Sequence, residues 1–149
     1  MIHGVRVKQL KPIPDERGRL MEVLRCDDEI FLKFGQAYIT SVYPGAVKAW
    51  HYHRKQADYL AALTSMLKLV LYDTRADSPT RGEVQELHVG ELNYVLVTIP
   101  LHVWNGFKGE GSTPALVANC ATIAHDPTEI DRMDPFDNDI PYDWSLKHG

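Results

Sequence analysis

The chain has 149 residues, of which 44% are hydrophobic and 24% charged, and its formal net charge is −4. This length and composition predict one globular domain over residues 1–149 with a real core. The acidic balance argues against a nucleic-acid partner, and no apolar run is long enough to predict a membrane span. Residues after Met1 lack the apolar segment of a signal peptide. We therefore expect a cytoplasmic protein in which Cys26 and Cys120 are free thiols.

Short alternating runs separated by turn signals recur along the chain and predict β-strands. The runs cover residues 19–24, 36–43, 47–53, 59–63, 66–72, 83–89, 94–99 and 115–123. This pattern favours an all-β sandwich or barrel. One short helical turn is expected at 28–34, and the Pro- and Asp-rich residues 126–149 predict an ordered loop with short turns that folds over the barrel mouth.

Two histidines lie one residue apart in the third of these runs, Val47-Lys-Ala-Trp-His-Tyr-His53. Side chains two positions apart on a strand share a face. Alternation places Val47, Ala49, His51 and His53 on one face, with Lys48, Trp50 and Tyr52 on the other. Imidazole transfers protons and binds metals near neutral pH, so the pair predicts a functional site. Trp50 is expected to pack in the core or at a dimer contact.

The spacing around this pair is similar to the two sequence signatures of cupins. The first signature corresponds to Gly45-x5-His51-x-His53-x4-Asp58-x6-Ser65, with Asp58 and Ser65 where a Glu and a Gly are usual. Pro100-x-His102-x-x-Asn105 approximates the second signature. The signatures predict a jelly-roll cupin.

A closer resemblance extends over nearly the whole chain. The islands that carry it, in chain order, are Asp15-Glu-Arg17-Gly18-Arg-Leu-Met-Glu22, Gln36, Gly45-x-x-Lys48-x-x-His51-Tyr52, Tyr72-Asp-Thr-Arg75, Ser78-Pro-Thr-Arg-Gly82, Ile99-Pro100, Asn105-Gly-Phe107 and Met133-Asp134-Pro135 with Ile140 and Trp144. In these segments the chain resembles the dTDP-4-dehydrorhamnose 3,5-epimerase family. The resemblance implies a jelly-roll isomerase of nucleotide sugars that forms a homodimer with strands exchanged between subunits.

The resemblance also implies roles for individual residues. Family members remove a proton next to the ketone of a dTDP-4-keto-6-deoxyhexose, a step that needs a base and a donor or cation at the developing oxyanion. His51 would be the base and Asp134 the carboxylate that orients it. The remaining substrate contacts would come from Arg17 and Lys48 at the diphosphate, and from Glu22 and Gln36 near the nucleotide or sugar. Arg17 and Glu22 would complete the pocket of the neighbouring subunit.

Several positions depart from the family pattern. The Lys that stabilises the enolate falls on Asp58, whose charge has the wrong sign unless it is protonated or neutralised. The catalytic Tyr would fall near Ile123, where the chain has none, and the second pocket His falls on Asn105. Tyr38 and His53 stand where the family has an Asn and a Gln. The base and its Asp are therefore retained, whereas the cation and the acid are not.

These departures leave three interpretations open. The first is an isomerase without a cofactor, in which Tyr38, His53, Asn105 or His125 replaces the missing donor. The second is a metal cupin that binds one divalent transition metal. Its ligands would be His51, His53 and Asp58, with His102 or Asn105 as a fourth. The third is a protein that binds a nucleotide sugar without catalysis.

Other polar residues have more ordinary expectations. His102 and His125 lie near predicted loops and are expected to be structural or solvated. His3, His88 and His148 have no supporting pattern. Arg75 follows Asp73 closely and predicts a structural ion pair.

Overall fold

The computed structural model describes residues 1–145, and their regular structure consists of β-strands alone. Each of the eight predicted runs overlaps a strand, although the run 19–24 does so only at Arg19 and Leu20, and the all-β prediction is confirmed. The short helical turn expected at 28–34 is wrong, since this segment forms a turn closed by a 2.9 Å hydrogen bond from Phe31 N–H to the Asp28 carbonyl. The strands are β1 (Arg6–Gln9), β2 (Ile13–Asp15), β3 (Gly18–Leu20), β4 (Gln36–Val42), β5 (Val47–His53), β6 (Asp58–Ala62), β7 (Met66–Asp73), β8 (Val84–Gly90), β9 (Val95–Ile99), β10 (Val103–Gly109), β11 (Ala115–Ala121) and β12 (Ile130–Arg132).

Two five-stranded antiparallel sheets form a jelly-roll sandwich. The first sheet has the order β1-β9-β6-β11-β4 and the second β12-β5-β10-β7-β8, while β2 and β3 form a separate hairpin. Aliphatic side chains from both sheets pack between them, which follows from the period-two alternation of the strands. The core includes Leu60, Leu67, Leu69, Leu71, Val95, Val97, Ile99 and Val117.

A β-bulge in β5 changes the faces that simple alternation predicts. Asn105 pairs with His51 and Phe107 pairs with Lys48, so Gly106 alone faces two residues of β5. The extra residue reverses the alternation within the strand. As a result Lys48 shares the inner face with His51, while Ala49 packs in the outer cluster beside Trp50. A Cβ on Gly106 would lie 2.2 Å from the Ala49 Cβ, so this position requires glycine.

The C-terminal segment packs on the outer face of the second sheet. Ile140 and Trp144 are buried against Trp50, which is 0% exposed, and the Trp50 and Trp144 ring centroids lie 5.0 Å apart. This confirms the core role expected for Trp50. The part of the predicted loop that follows β12 thus covers the outside of the sheet rather than the barrel mouth. His148 lies outside the described residues.

An ion pair predicted from the sequence is present at the end of β7. Arg75 Nη2 lies 2.8 Å from Asp73 Oδ2, and the Asp73 side chain is fully buried. Burial raises the pKa of Asp73, but hydrogen bonds from Arg75, Ser78 and Thr80 outweigh it and hold that pKa well below its usual range. Cys26 and Cys120 are free thiols. Residues 1–145 contain no helix that is long and apolar enough to cross a membrane.

Candidate active site

A cavity of about 450 Å³ opens between the two sheets at the end where β4 and β12 are the edge strands. Both sheets and the segment before β12 contribute to its wall. The lining residues are Gln36, Tyr38, Thr40, Lys48, His51, His53, Gln56, Asp58, Leu60, Asn105, Phe107, Val117, Asn119, His125, Glu129, Ile130 and Arg132. The cavity lies within the size range of small-molecule sites.

The structure brings together most of the residues that the sequence predicted for a site. The predicted residues that line this one cavity are Gln36, Tyr38, Lys48, His51, His53, Asp58 and Asn105. They come from the consecutive strands β4, β5 and β6 and from the distant strand β10, which belong to both sheets of the sandwich. Asn105 is buried and its side-chain N–H groups donate to the His51 carbonyl at 3.3 Å.

Arg17 and Glu22 lie away from the cavity of their own chain. Arg17 is at the turn of the β2–β3 hairpin, its side chain is 85% exposed, and its guanidinium is 2.6 Å from Asp15 Oδ2. Glu22 is exposed as well and pairs with Arg25 at 3.2 Å. Within a single chain, therefore, neither residue takes part in the site.

Asp134 does not form the expected pair with His51. It is exposed in the turn after β12, where its Oδ1 accepts the N–H groups of Phe136 at 2.8 Å and Asp137 at 3.1 Å. Short polar side chains commonly cap such turns. The Asp134 carboxylate is therefore held in its own turn and does not contact His51. The His51 imidazole forms no hydrogen bond within residues 1–145.

His51 is nevertheless a neutral imidazole inside the cavity. Burial, followed by the charges of Arg132, His53 and Lys48, lowers the pKa of His51 to about 4. A buried base near like charges resists protonation. The ring is therefore unprotonated at cellular pH and has a nitrogen lone pair available.

Two cations flank His51 in the cavity wall. Lys48 is exposed and donates a 2.8 Å hydrogen bond to Thr40 Oγ1. Arg132 pairs directly with His51 across β12 and β5, and its guanidinium has no ion pair or hydrogen bond within residues 1–145. Cations with unused donors recognise phosphate groups, so this side of the cavity suits an anionic ligand.

The carboxylate–histidine pair that the sequence predicted for His51 occurs at His53 instead. His53 Nδ1 is bonded to Glu129 Oε1, and the Glu129 side chain is 2% exposed. Glu129 precedes β12 and is far from β5 in the chain. A carboxylate at one ring nitrogen fixes the tautomer and orientation of the imidazole.

Asp58 lies on the other side of His53 and is buried. Its Oδ1 accepts amide N–H groups from Gln56 at 2.7 Å and Asn119 at 2.8 Å, and its Oδ2 is 3.6 Å from His53 Nε2. Burial raises the pKa of Asp58 above its usual range. Asn119 also donates to the Tyr38 hydroxyl at 2.9 Å, which connects this network to the cavity edge.

The metal ligand set considered from the sequence is not assembled. His53 and Asp58 direct their polar atoms at Glu129 and at amide groups, as described above. Residues 1–145 contain no group of three His, Cys, Asp or Glu side chains placed to hold a metal ion. His102 lies on the outer face of the second sheet, where its ring stacks on Tyr52 with centroids 5.7 Å apart.

Several cavity residues were missed by sequence reasoning. None of the motifs given above includes the cavity residues Gln56, Asn119, Glu129 and Arg132. The sequence pattern around them does not predict that they lie in the same cavity. His125 was expected to be structural or solvated but was also among the residues that could replace the missing donor, and it lines the cavity.

Comparisons with known proteins identify the family of this chain. A family model described as dTDP-4-dehydrorhamnose 3,5-epimerase matches residues 1–148. The spore coat polysaccharide biosynthesis protein SpsL of Bacillus subtilis is 39% identical over 149 residues, covering 99% of each chain. The probable low-salt glycan biosynthesis epimerase Agl13 of Haloferax volcanii is 40% identical over 144 residues, covering 95% of this chain and 89% of that protein.

A solved structure is similar at the level of both sequence and fold. It is a dTDP sugar isomerase from Desulfovibrio desulfuricans, with 39% identity and a TM-score of 0.91. The similarity covers 96% of this chain and 92% of that chain. The fold therefore indicates the same family as the sequence segments that resemble it.

Proposed function

Because the chain belongs to the dTDP-4-dehydrorhamnose 3,5-epimerase family, we propose that it isomerises or epimerises a dTDP-linked 4-keto-6-deoxyhexose. The observation that carries the proposal is the neutral, unbonded His51 imidazole, which lies in a cavity beside the cations Lys48 and Arg132. A base and a nearby anion site suit a substrate with an acidic C–H group and a diphosphate.

His51 removes the proton from a carbon next to the ketone, and the electrons of that C–H bond move toward the ketone oxygen. A positioned base of this kind contributes on the order of 10²–10⁴ to the rate. Lys48 and Arg132 bind the diphosphate. Because the bound anion offsets two of the charges that lower the pKa of His51, those of Arg132 and Lys48, substrate binding makes the imidazole a stronger base.

Proton return decides between the two reaction types. For the carbon-bound proton, isomerisation between neighbouring carbons needs only His51, which can deliver it on the face from which it was taken, while the hydroxyl oxygen of one carbon loses a proton and the ketone oxygen of the other gains one. Epimerisation needs a donor on the opposite face. Tyr38 and His125 line the cavity and are the donors we assign to this step. SpsL and Agl13 are named for polysaccharide and glycan biosynthesis, so we propose that the product is a sugar donor for such a polymer.

The active unit is proposed to be a homodimer with exchanged strands. The β2–β3 hairpin is exposed along its whole length and presents the apolar side chains of Ile13 and Leu20. The edge strand β4 and the segment before it expose Phe34 and Ile39. A second copy would cover both surfaces and would bring Arg17 to the neighbouring cavity, where Arg17 and Glu22 act as substrate contacts. Light scattering that gives the mass of a monomer at all concentrations would refute this arrangement.

The reaction itself is tested by proton exchange. The protein is incubated in deuterium oxide with dTDP-4-keto-6-deoxyglucose, and deuterium at the carbons next to the ketone is measured by mass spectrometry. We expect incorporation with the wild-type protein, none above background with His51→Ala, and wild-type incorporation with His88→Ala on the outer surface. Tight binding of dTDP-4-keto sugars without any exchange in the wild type would refute an isomerase and support a binding protein.

A further inference from the structure

The two histidines of β5 have different surroundings. The His51 ring is unbonded, whereas both nitrogens of His53 face carboxylates, with Glu129 at Nδ1 and Asp58 Oδ2 3.6 Å from Nε2. The side chains of His53, Asp58 and Glu129 are 12%, 7% and 2% exposed. All three line the cavity, so they form a buried row of carboxylate, imidazole and carboxylate in its wall.

Glu129 is the ionised end of this row. Its Oε2 accepts backbone N–H groups from Arg54, Lys55 and Gln56 at 3.1, 3.0 and 3.3 Å. Burial alone would raise the pKa of Glu129, but the hydrogen bonds from Lys55 and His53 outweigh it, and the pKa falls below its usual range. A carboxylate at this position holds a hydrogen on His53 Nδ1.

The other end of the row disfavours a second negative charge. Burial raises the pKa of Asp58 and the nearby Glu129 charge adds to this rise, which outweighs the opposite effects of His53 and of the two amide donors. Its Oδ1 is occupied by two amide donors, so only Oδ2 faces His53 Nε2. Since Nδ1 already carries a hydrogen, a further proton in this row can occupy only Nε2 or Oδ2, which lie 3.6 Å apart, with the Gln56 amide nitrogen 3.4 Å from Nε2.

We propose that His53 and Asp58 together give this proton to the ketone oxygen of the substrate while His51 removes the carbon-bound proton. The inference rests on the proposed function and deepens it. It makes Asp58 an acid at the position where the resembling family has a cationic Lys.

The step balances without any further reactant. The C–H bond breaks and its proton goes to His51, while its electron pair forms a carbon–carbon double bond. The electrons of the carbonyl π bond move to the oxygen, which takes the shared proton from His53 and Asp58 and becomes an enol hydroxyl. In the second half the hydroxyl returns its proton to the pair, and a carbon receives a proton from His51 or from the donor on the other face. A carboxylic acid kept neutral by a buried site serves as a hydrogen donor to an enolising ketone in the same way.

The remaining charged groups around the pair belong to the same cavity. His51 lies on the same strand, Tyr38 is connected to Asp58 through Asn119, and Lys48 and Arg132 are at the His51 side. Burial is the largest effect on the Tyr38 hydroxyl and raises its pKa above the usual range. Tyr38 therefore stays protonated and does not compete with Asp58 for the shared proton.

Two conservative variants and a matched control test the proposal. Asp58→Asn preserves the shape and the hydrogen bonds to the amides but has no acidic proton, and His53→Gln removes the ring. We expect both to lower the rate of deuterium incorporation on the order of 10²–10⁴-fold, the range of general-acid catalysis, while the affinity for dTDP stays the same. His88→Gln, an exposed histidine that also pairs with a glutamate, should leave both quantities unchanged.

A spectroscopic readout separates proton transfer from a structural role. In wild-type protein labelled with nitrogen-15, the Nε2 resonance of His53 should have the position of a protonated or proton-sharing nitrogen. In Asp58→Asn it should move to the position of a bare nitrogen, and this spectrum needs no substrate.

Exchange by Asp58→Asn at the wild-type rate, or an unchanged Nε2 resonance, would overturn the inference and leave the proposed function standing. A loss of dTDP affinity as large as the loss of exchange would overturn it as well, because Asp58 would then act in binding. Absence of exchange in the wild type would overturn the proposed function and this inference together.

Discussion

The two ends of the sandwich are built from the same alternating strands but have different interiors. Under β7, β8 and β9 the inward side chains are aliphatic and fill the space, as Leu69 and Val97 do. Under β4, β5 and β12 they are polar or charged and leave a cavity of about 450 Å³. Leu60, Phe107 and Val117 belong to both regions and form the boundary between them. The position of a strand in the sheet order thus decides whether its inner face becomes core or site.

The largest effect on stability is expected at the filled end. Leu69 is 0% exposed, and Leu69→Ala should lower the free energy of unfolding by about 2–5 kcal/mol because it leaves a cavity in a close-packed core. Urea denaturation measures this change. The dTDP affinity of the folded variant should equal that of the wild type. A variant that unfolds normally but loses dTDP binding would mean that the two ends are not independent.

A smaller change in stability is expected for Glu129→Gln at the open end. The amide keeps only part of the acceptor capacity of the carboxylate, which serves three backbone N–H groups and His53, so we expect a loss of about 1–3 kcal/mol near neutral pH. The pKa of Glu129 is lower in the folded protein than its ordinary value of 4.5. The contribution of this carboxylate is therefore complete above pH 4.5 and is lost as the pH falls below it.

Unfolding of the wild type and Glu129→Gln measured between pH 7 and pH 3 checks this sign. The difference between the two proteins should shrink as the pH falls through this window. A difference that stays constant or grows toward pH 3 would show that Glu129 is not an ionised acceptor in the folded protein.

Comparison with the sequence predictions shows which features alternation can reveal. The long strands were predictable because their apolar residues repeat every second position. Strand β10 was missed because Gly106 and Gly109 interrupt its alternating pattern. Strand β12 was missed because it has three residues, too few to show an alternation of apolar and polar side chains. Position 106 requires glycine because Ala49 approaches it closely. The sequence alone does not reveal this contact.

The site was predictable to the extent that a linear motif carries it. His51, His53 and Asp58 lie close together in sequence and in space. The face of Lys48 was predicted wrongly, because no sequence signal reveals the bulge that moves it to the inner side. Glu129 was missed because its partner His53 is 76 residues away. A carboxylate–histidine pair is therefore present, but it consists of Glu129 and His53 instead of the expected Asp134 and His51.

The smallest effect is expected for Arg132→Gln, which changes the open end without removing a buried contact. Arg132 has no partner within residues 1–145, so stability should be unchanged. Loss of one charged contact should weaken dTDP binding roughly tenfold, about 1.4 kcal/mol. Removing this charge also raises the pKa of His51 from about 4. Since His51 acts as a neutral base, the acid limb of kcat/KM should move to higher pH.

Steady-state exchange rates measured against pH test this prediction, with Arg81→Gln on the surface as the matched control. The control should reproduce both the wild-type affinity and the wild-type acid limb. An acid limb that stays in place in Arg132→Gln would show that the charge of Arg132 does not act on His51.

A crystal structure of the protein with dTDP bound tests the central claim most directly, namely that the open end of the sandwich binds the nucleotide sugar at its two cations. We expect the diphosphate within hydrogen-bonding distance of Lys48 and Arg132, with its terminal phosphate directed at the space between His51 and Asp58. Diphosphate bound outside this cavity, with Lys48 and Arg132 uninvolved, would contradict the account.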